Sequence, residues 1–327
     1  MPDSLYPLKF TPLFKDKIWG GQKIKTSFGL DFSPLPNCGE AWVLSGVPGS
    51  ETIVSNGFLQ ENTLNELLEV YMDELVGEQV YDQHKEEFPV LIKFIDSNDW
   101  LSIQVHPNDE LAHQRGLPNG KSEMWYVLEA DPGAEIIAGF SRPMDKHSYS
   151  RLVSENRLKE ALNHEKVAAG DLFYMPAGRI HAMGPGILLA EIQQTSDVTY
   201  RIYDWDRTDD RGRARELHTG LALDAIDFTL QESYRTRYRP DPNQTTALVH
   251  TPFFNTNLLL FDKALDKAYG LLDSFVIHLC LEGTYRLEHR EGAETVNRGE
   301  AVLIPAAMDD FRLSPVQPCR VIEIYMP

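Results

Sequence analysis

Short runs rich in β-branched, aliphatic and aromatic residues, each closed by turn residues, recur along the chain at 41–44, 90–95, 100–105, 124–128, 187–192 and 198–203. Many short strands with Gly and Pro punctuation predict a sandwich or barrel. Three stretches instead repeat their apolar positions every 3.6 residues: 63–76, with Leu64, Leu67, Leu68 and Tyr71 on one face, 148–163, and 216–228. These predict helices covering the sandwich, so the expected fold is mainly β with a few covering α-helices.

The pattern breaks at Tyr238-Arg239-Pro240-Asp241-Pro242-Asn243-Gln244, a polar, Pro-bearing stretch followed by a fresh series of strand-like runs. A domain boundary is expected there, dividing 1–240 from 241–327. The two parts share a weak repeat. Gly170-Asp171-Leu172-Phe173-Tyr174-Met175-Pro176 is echoed by Gly299-Glu300-Ala301-Val302-Leu303-Ile304-Pro305, each preceded by a segment with a Leu-Glu pair, Leu128-Glu129 and Leu281-Glu282. Two related β-sandwiches are the economical interpretation.

Composition narrows the class. A chain of 327 residues, 42% hydrophobic and 24% charged, is long enough for two cores. With 22 Gly, 20 Pro and three Cys it is neither collagen-like, nor disordered, nor a disulfide framework. The net charge of -18 argues against nucleic acid and anionic membrane surfaces as partners. The first 21 residues hold no uninterrupted apolar stretch, and the longest apolar runs, such as 258–261 and 275–281, are strand-sized. Cys38, Cys280 and Cys319, far apart and odd in number, read as reduced, buried thiols, and a cytoplasmic location is expected.

In the first part the repeat continues as Gly170-x5-Pro176-x-Gly178-x2-His181, the second signature of the cupins, small jelly-roll barrels that commonly hold a metal. Upstream, Gln104-Val105-His106 places an amide and an imidazole two residues apart, hence on one side of a strand, and Glu123 begins the next strand. Gln104, His106, Glu123 and His181 can therefore converge inside one barrel. This mixed N/O set suits Zn²⁺, one per chain. A lone buried His is more often a hydrogen-bonded core residue, and His113, His147, His164 and His218, in polar or helical surroundings, keep that reading. Extending the repeat puts Ala307 at the place of Gly178, Asp310 at that of His181, and Val276 opposite Glu123. The second sandwich is expected to have lost the metal site and to serve a structural or partner-binding role.

Six stretches resemble the short-form type I mannose-6-phosphate isomerases: Ile18-Trp19-Gly20-Gly21, Gly39-Glu40-Ala41-Trp42, the run from Leu101 to Pro107, the run from Lys121 to Tyr126, the run from Pro176 to Ala182, and the run from Glu191 to Arg201. The resemblance spans the first domain nearly end to end and implies two cupin β-sandwich domains. It implies interconversion of mannose 6-phosphate and fructose 6-phosphate, with zinc on Gln104, His106, Glu123 and His181. The reaction needs a base that moves a proton between adjacent carbons, an electrophile for the oxygen gaining charge, and a cationic phosphate seat. Arg201 stands where the family places an essential arginine, for an enediolate or the phosphate. Lys121 lies two residues before Glu123, on the side of a metal ligand, and with Asp197 and Glu191 forms the set of candidate bases. Lys93, Ser102, Glu40 and Trp19 are implied substrate contacts. In the charge run 204–215, Arg207 stands where many long-form relatives have a lysine and is the preferred phosphate contact. Gly120 departs from the His that many long-form members carry there.

The expected function is thus a zinc-dependent aldose-ketose isomerase acting on a hexose phosphate, as a monomer or homodimer, with no nucleic acid or membrane partner. Two rivals remain at this point. One is an iron-dependent cupin oxygenase, which the two-His, one-carboxylate set would also serve; the other is a module that binds a phosphosugar without turnover.

Overall fold

The strands Val90–Ser97 and Ile187–Gln194 are buried at every position, so both faces of their sheet are covered. The computed structural model describes residues 5–208 and 211–327 and shows what covers them. Four of the five sheets among the described residues are stacked in layers. An outer five-stranded sheet runs in the order Leu162–Lys166, Glu135–Phe140, His181–Met183, Ile103–Val105, Tyr200–Tyr203. Against it lies a seven-stranded sheet in the order Arg235–Thr236, Leu172–Met175, Glu123–Ala130, Ile187–Gln194, Val90–Ser97, Glu40–Leu44, Leu13–Lys15. A second seven-stranded sheet, built mainly from residues after 241, packs on its back, and a four-stranded sheet closes the stack.

Alternation along each strand decides which core a side chain enters. Met124 and Tyr126 turn to the core between the two large sheets, where they join Ile92, Phe94, Leu279 and Ile322. Trp125 and Val127 turn the other way, against Ile136 and Met183 of the five-stranded sheet. Glu123 shares that inward side, which puts a carboxylate inside the first barrel. The chain's start crosses between the halves: Leu8–Thr11 pairs with Ala301–Ile304 and with Ile53–Val54 in the second large sheet.

The helices cover the sandwich as expected, with shifted ends. Leu64–Val76 begins at Thr63, whose side chain and Glu66 cap each other reciprocally, and buries Leu64, Leu67 and Leu68. The single helix expected over 148–163 is a helix Lys146–Ser154, a 3₁₀ turn Leu158–Ala161 and an edge strand Leu162–Lys166. Asn156, with φ of 56°, takes the left-handed conformation that ends a helix, and the apolar residues beyond it serve the strand. The stretch 216–228 shortens to Thr219–Ala225, because His218 N–H is already bonded to the Arg201 carbonyl at 2.7 Å and Ile226 is extended. No helix among the described residues is long and apolar enough to cross a membrane.

The weak repeat corresponds to matching register. Glu123 pairs with Met175, and Val276 pairs with Ile304, so Val276 holds the position of Glu123. Likewise Glu191 faces Trp125, and Glu323 faces His278. The expectation for Asp310 needs correcting by one residue. Asp310 is exposed and Phe311 is buried opposite Lys267, so Phe311 takes the inward place that His181 takes opposite Gln104.

Candidate active site

Inside the first barrel, His106, Glu123 and His181 bring one donor atom each to within 4.8 Å of the others. The strand Ile103–Val105 is flanked by His181, paired with Gln104, and on its other edge by Arg201, also paired with Gln104. His106 follows directly, and all three clustered side chains are buried. His106 Nδ1 lies 2.7 Å from the Val198 carbonyl and His181 Nδ1 lies 2.8 Å from that of Arg179. Carbonyls only accept, so each Nδ1 carries the proton and each Nε2 presents a lone pair. Burial, then the charge of Lys121, pulls His106 well below the ordinary histidine range, and burial lowers His181 despite Glu123, so both rings are neutral at pH 7.

The donor set fits a divalent cation on a direct observation. Glu123 Oε1 is buried without a hydrogen-bond partner, 3.2 Å from His181 Nε2. A carboxylate oxygen facing two imidazole lone pairs is the arrangement that a cation completes. Gln104 Nε2 stands 3.3 Å from His181 Nε2, and turning the amide over presents Oε1 to the cluster instead. Among the described residues this is the one group of three or more His, Cys, Asp or Glu placed to share an ion.

A cavity of about 480 Å³ adjoins the cluster, lined there by Gln104 and Lys121. Its wall carries a ladder of alternating charges. Lys17 meets Glu40 at 3.0 Å, Lys93 lies 3.7 Å from Glu40 and 3.3 Å from Glu191, and Lys121 donates to Glu123 at 2.8 Å. Indole N–H groups complete it, Trp42 donating to Glu40 at 2.7 Å and Trp125 to Glu191 at 2.9 Å. Burial alone would raise the Glu40 carboxyl, but Lys93 and Lys17 overcome this and hold it at about 2. Glu191 is kept below the ordinary carboxylate value in the same way, by Lys121 and Lys93 against its burial. Burial disfavours the Lys121 ammonium, yet Glu123 and Glu191 more than restore it and raise its pKa. The wall thus presents an ionised carboxylate and an ammonium beside the cluster, one able to accept a proton and the other to give one.

Most residues expected from the sequence meet here. Trp19, Glu40, Lys93, Ser102, Gln104, Lys121, Glu191, Asp197 and Arg201 line the cavity, with Asp197 exposed at its mouth. Arg207 does not line it: its guanidinium is drawn to Asp204 at 2.7 Å and to Asp99 at 3.4 Å. Asp209 and Asp210 of the same charge run lie outside the described residues, as do residues 1–4. Wall residues not singled out from the sequence include Lys17, Trp42 and Trp125, and within the run 204–215 the cavity is lined by Arg215 rather than the preferred Arg207. Two of them were within reach of the two-residue strand period, since Trp42 follows Glu40 and Trp125 follows Glu123 on the same side.

The chain is similar to known proteins in sequence and in fold. Residues 7–138 match the family described as phosphomannose isomerase type I, catalytic domain. The chain is 34% identical over 319 residues to the mannose-6-phosphate isomerase ManA of Bacillus subtilis, covering 96% of this chain and 98% of that one. It is 39% identical over 249 residues to the mannose-6-phosphate isomerase of Streptococcus mutans, covering 76% and 77% of the two chains. The crystal structure of the mannose 6-phosphate isomerase from Bacillus subtilis superposes with a TM-score of 0.86 at 31% identity, over 97% of this chain and 99% of that one. Identity at this level along almost the full length places the chain in the type I mannose-6-phosphate isomerase family.

Proposed function

We propose that the protein interconverts D-mannose 6-phosphate and D-fructose 6-phosphate with one zinc ion held by Gln104, His106, Glu123 and His181. The observation that carries this reading is the buried Glu123 carboxylate, one oxygen of it unpartnered, between two neutral imidazoles, beside a cavity whose wall alternates lysine and glutamate. When bound, the zinc supplies a Lewis acid for the substrate oxygen that gains charge.

The chain's own residues account for the rest. Proton transfer between C1 and C2 is assigned to Lys121, Glu191 and Asp197 as a set. Glu191 is the strongest acceptor candidate, because its Oε1 is buried and without a hydrogen-bond partner while Trp125 fixes Oε2. Lys121 Nζ, between Glu123 Oε2 at 2.8 Å and His106 Nε2 at 3.3 Å, is placed to hand a proton to a substrate oxygen. Glu40 orients Lys93, Trp19 and Ser102 bound the sugar, and Arg201 supplies a fixed positive charge for the enediolate or the phosphate. Residues 241–327 act as a metal-free second barrel that buttresses the catalytic sheet, and a cytoplasmic enzyme of one or two chains is the working assembly.

The test is a coupled assay of mannose 6-phosphate conversion before chelation, after it, and after zinc is restored. Activity that disappears and returns establishes the reading. Zinc-loaded protein that binds the sugar phosphate tightly without converting it supports a sensing module instead.

A further inference from the structure

A hexose phosphate carries a dianion that must sit somewhere on the cavity wall, and the wall has two cationic ends. At one end Lys17 and Lys93 share Glu40, while Glu191 and Glu123 hold Lys93 and Lys121, so these ammonium groups already face carboxylates. Lys15, at the same end, rests on the Trp42 ring and donates to the Ser50 hydroxyl. The other end differs. Arg201 makes no ion pair among the described residues: Nη1 donates to the Glu216 carbonyl at 2.9 Å, and Nε is buried without a partner.

Arg215 lines the cavity at this end. Burial first, and then the like charge of Arg215, lowers the Arg201 pKa, so the two guanidinium groups sense each other. Arg215 donates through Nε and Nη2 to the two oxygens of Asp204, which fixes the plane of its fork and leaves Nη1 without a partner among the described residues. Two neighbouring guanidinium groups with unused donors repel each other until an anion accepts from both, and phosphate oxygens match the fork geometry. Arg207 donates to the same Asp204 oxygen as Arg215 Nη2 but does not line the cavity.

We propose that Arg215, together with Arg201, seats the phosphate of the substrate and so selects phosphorylated over free hexoses. This rests on the isomerase reading above. Arg215 is held in place by Asp204 and acts directly on the phosphate.

The test is steady-state kinetics of the zinc-loaded enzyme for wild type, Arg215→Ala, Arg215→Lys and Asp204→Asn, with orthophosphate as competing anion. Losing a charge-assisted bond to the phosphate is expected to raise KM in Arg215→Ala about tenfold or more, with kcat within about threefold of wild type. Inhibition by orthophosphate weakens by a similar factor. Arg215→Lys recovers part of the loss, since it restores the charge without the fork. Asp204→Asn weakens the acceptor that fixes the Arg215 fork while the charge of Arg215 remains, and raises KM by a smaller factor than Arg215→Ala. Unchanged KM and orthophosphate inhibition in Arg215→Ala overturns the proposal. So does an Asp204→Asn defect larger than that of Arg215→Ala, because Asp204 would then act on the substrate other than through Arg215. Should wild type convert no mannose 6-phosphate, the isomerase reading fails by itself. Calorimetric binding of orthophosphate to wild type and Arg215→Ala still decides the role of Arg215.

Discussion

Glu123 and Val276 occupy one register position in two barrels, Glu123 facing Met175 just before Pro176 and Val276 facing Ile304 just before Pro305. The substitution at that position is accompanied by a change in everything around it. Where the first barrel has His106 against His181, the second has Tyr269 against Phe311, and the polar interior is closed by Lys267 and Asn257 on Glu323. Metal analysis of the purified enzyme is therefore expected to give one zinc per chain, falling to a trace in Glu123→Gln. Val276→Glu is expected to add none. It leaves a buried carboxylate beside Ile304 without a cation and lowers stability by roughly 3 kcal/mol or more in a denaturant titration. A second equivalent of zinc in Val276→Glu would refute this account of the second barrel.

Arg201 is the direct strand neighbour of Gln104, so its replacement tests whether the arginine serves chemistry or the metal site. Arg201→Ala is expected to abolish measurable turnover while zinc content stays at the wild-type level. Zinc lost together with activity would make Arg201 a structural support for the Gln104 strand.

Lys93 stands opposite both Glu191 and Trp42 in the large sheet, and it is one of two lysines that keep Glu191 ionised against its burial. With Lys93→Met the remaining cation is Lys121, and the Glu191 pKa rises. The acid limb of the kcat/KM profile then moves to higher pH, with activity at its optimum reduced about tenfold or more. An acid limb that stays in place assigns it to a group other than Glu191.

How far the sequence reached depended on whether chemistry followed a local period. Gln104 and His106 were legible because a two-residue spacing on a strand is a one-face statement, and Lys121 with Glu123 likewise. His181 needed the Gly-Pro-Gly-His motif, since its contact with Gln104 spans 77 positions. The layers themselves followed from strand alternation, but the back-to-back packing of two large sheets did not, because Met124 and Ile322 join one core across the fold without any sequence signature. The run 204–215 shows the limit most clearly. Arginines and aspartates alternate there without a period, and whether Arg207 or Arg215 reaches the cavity depends on how both are drawn to Asp204. The helix expected over 148–163 failed for a local reason, the left-handed Asn156, which no apolar period reports.

The second barrel carries its own titratable signature. His278 is buried with Nε2 2.8 Å from the Tyr269 hydroxyl and Nδ1 3.1 Å from that of Tyr285, and burial pulls its pKa down to about 4 despite the nearby Glu323. A histidine whose folded pKa lies below its unfolded value of about 6.5 binds more protons when unfolded, so its contribution is complete above that pH and is lost as the pH falls toward about 4. From about pH 7.5 to about pH 5 this one group is expected to withdraw about 2 kcal/mol. His278→Gln keeps a side chain able to bond both tyrosines and removes the titration. Urea denaturation of the zinc-loaded proteins at the two pH values isolates the effect, because contributions from His106 and His181 are common to both and cancel. Wild type is expected to lose about 2 kcal/mol more than His278→Gln on acidification. Equal losses in the two proteins would mean that the interior of the second barrel admits enough water or relaxes enough to charge His278 without cost.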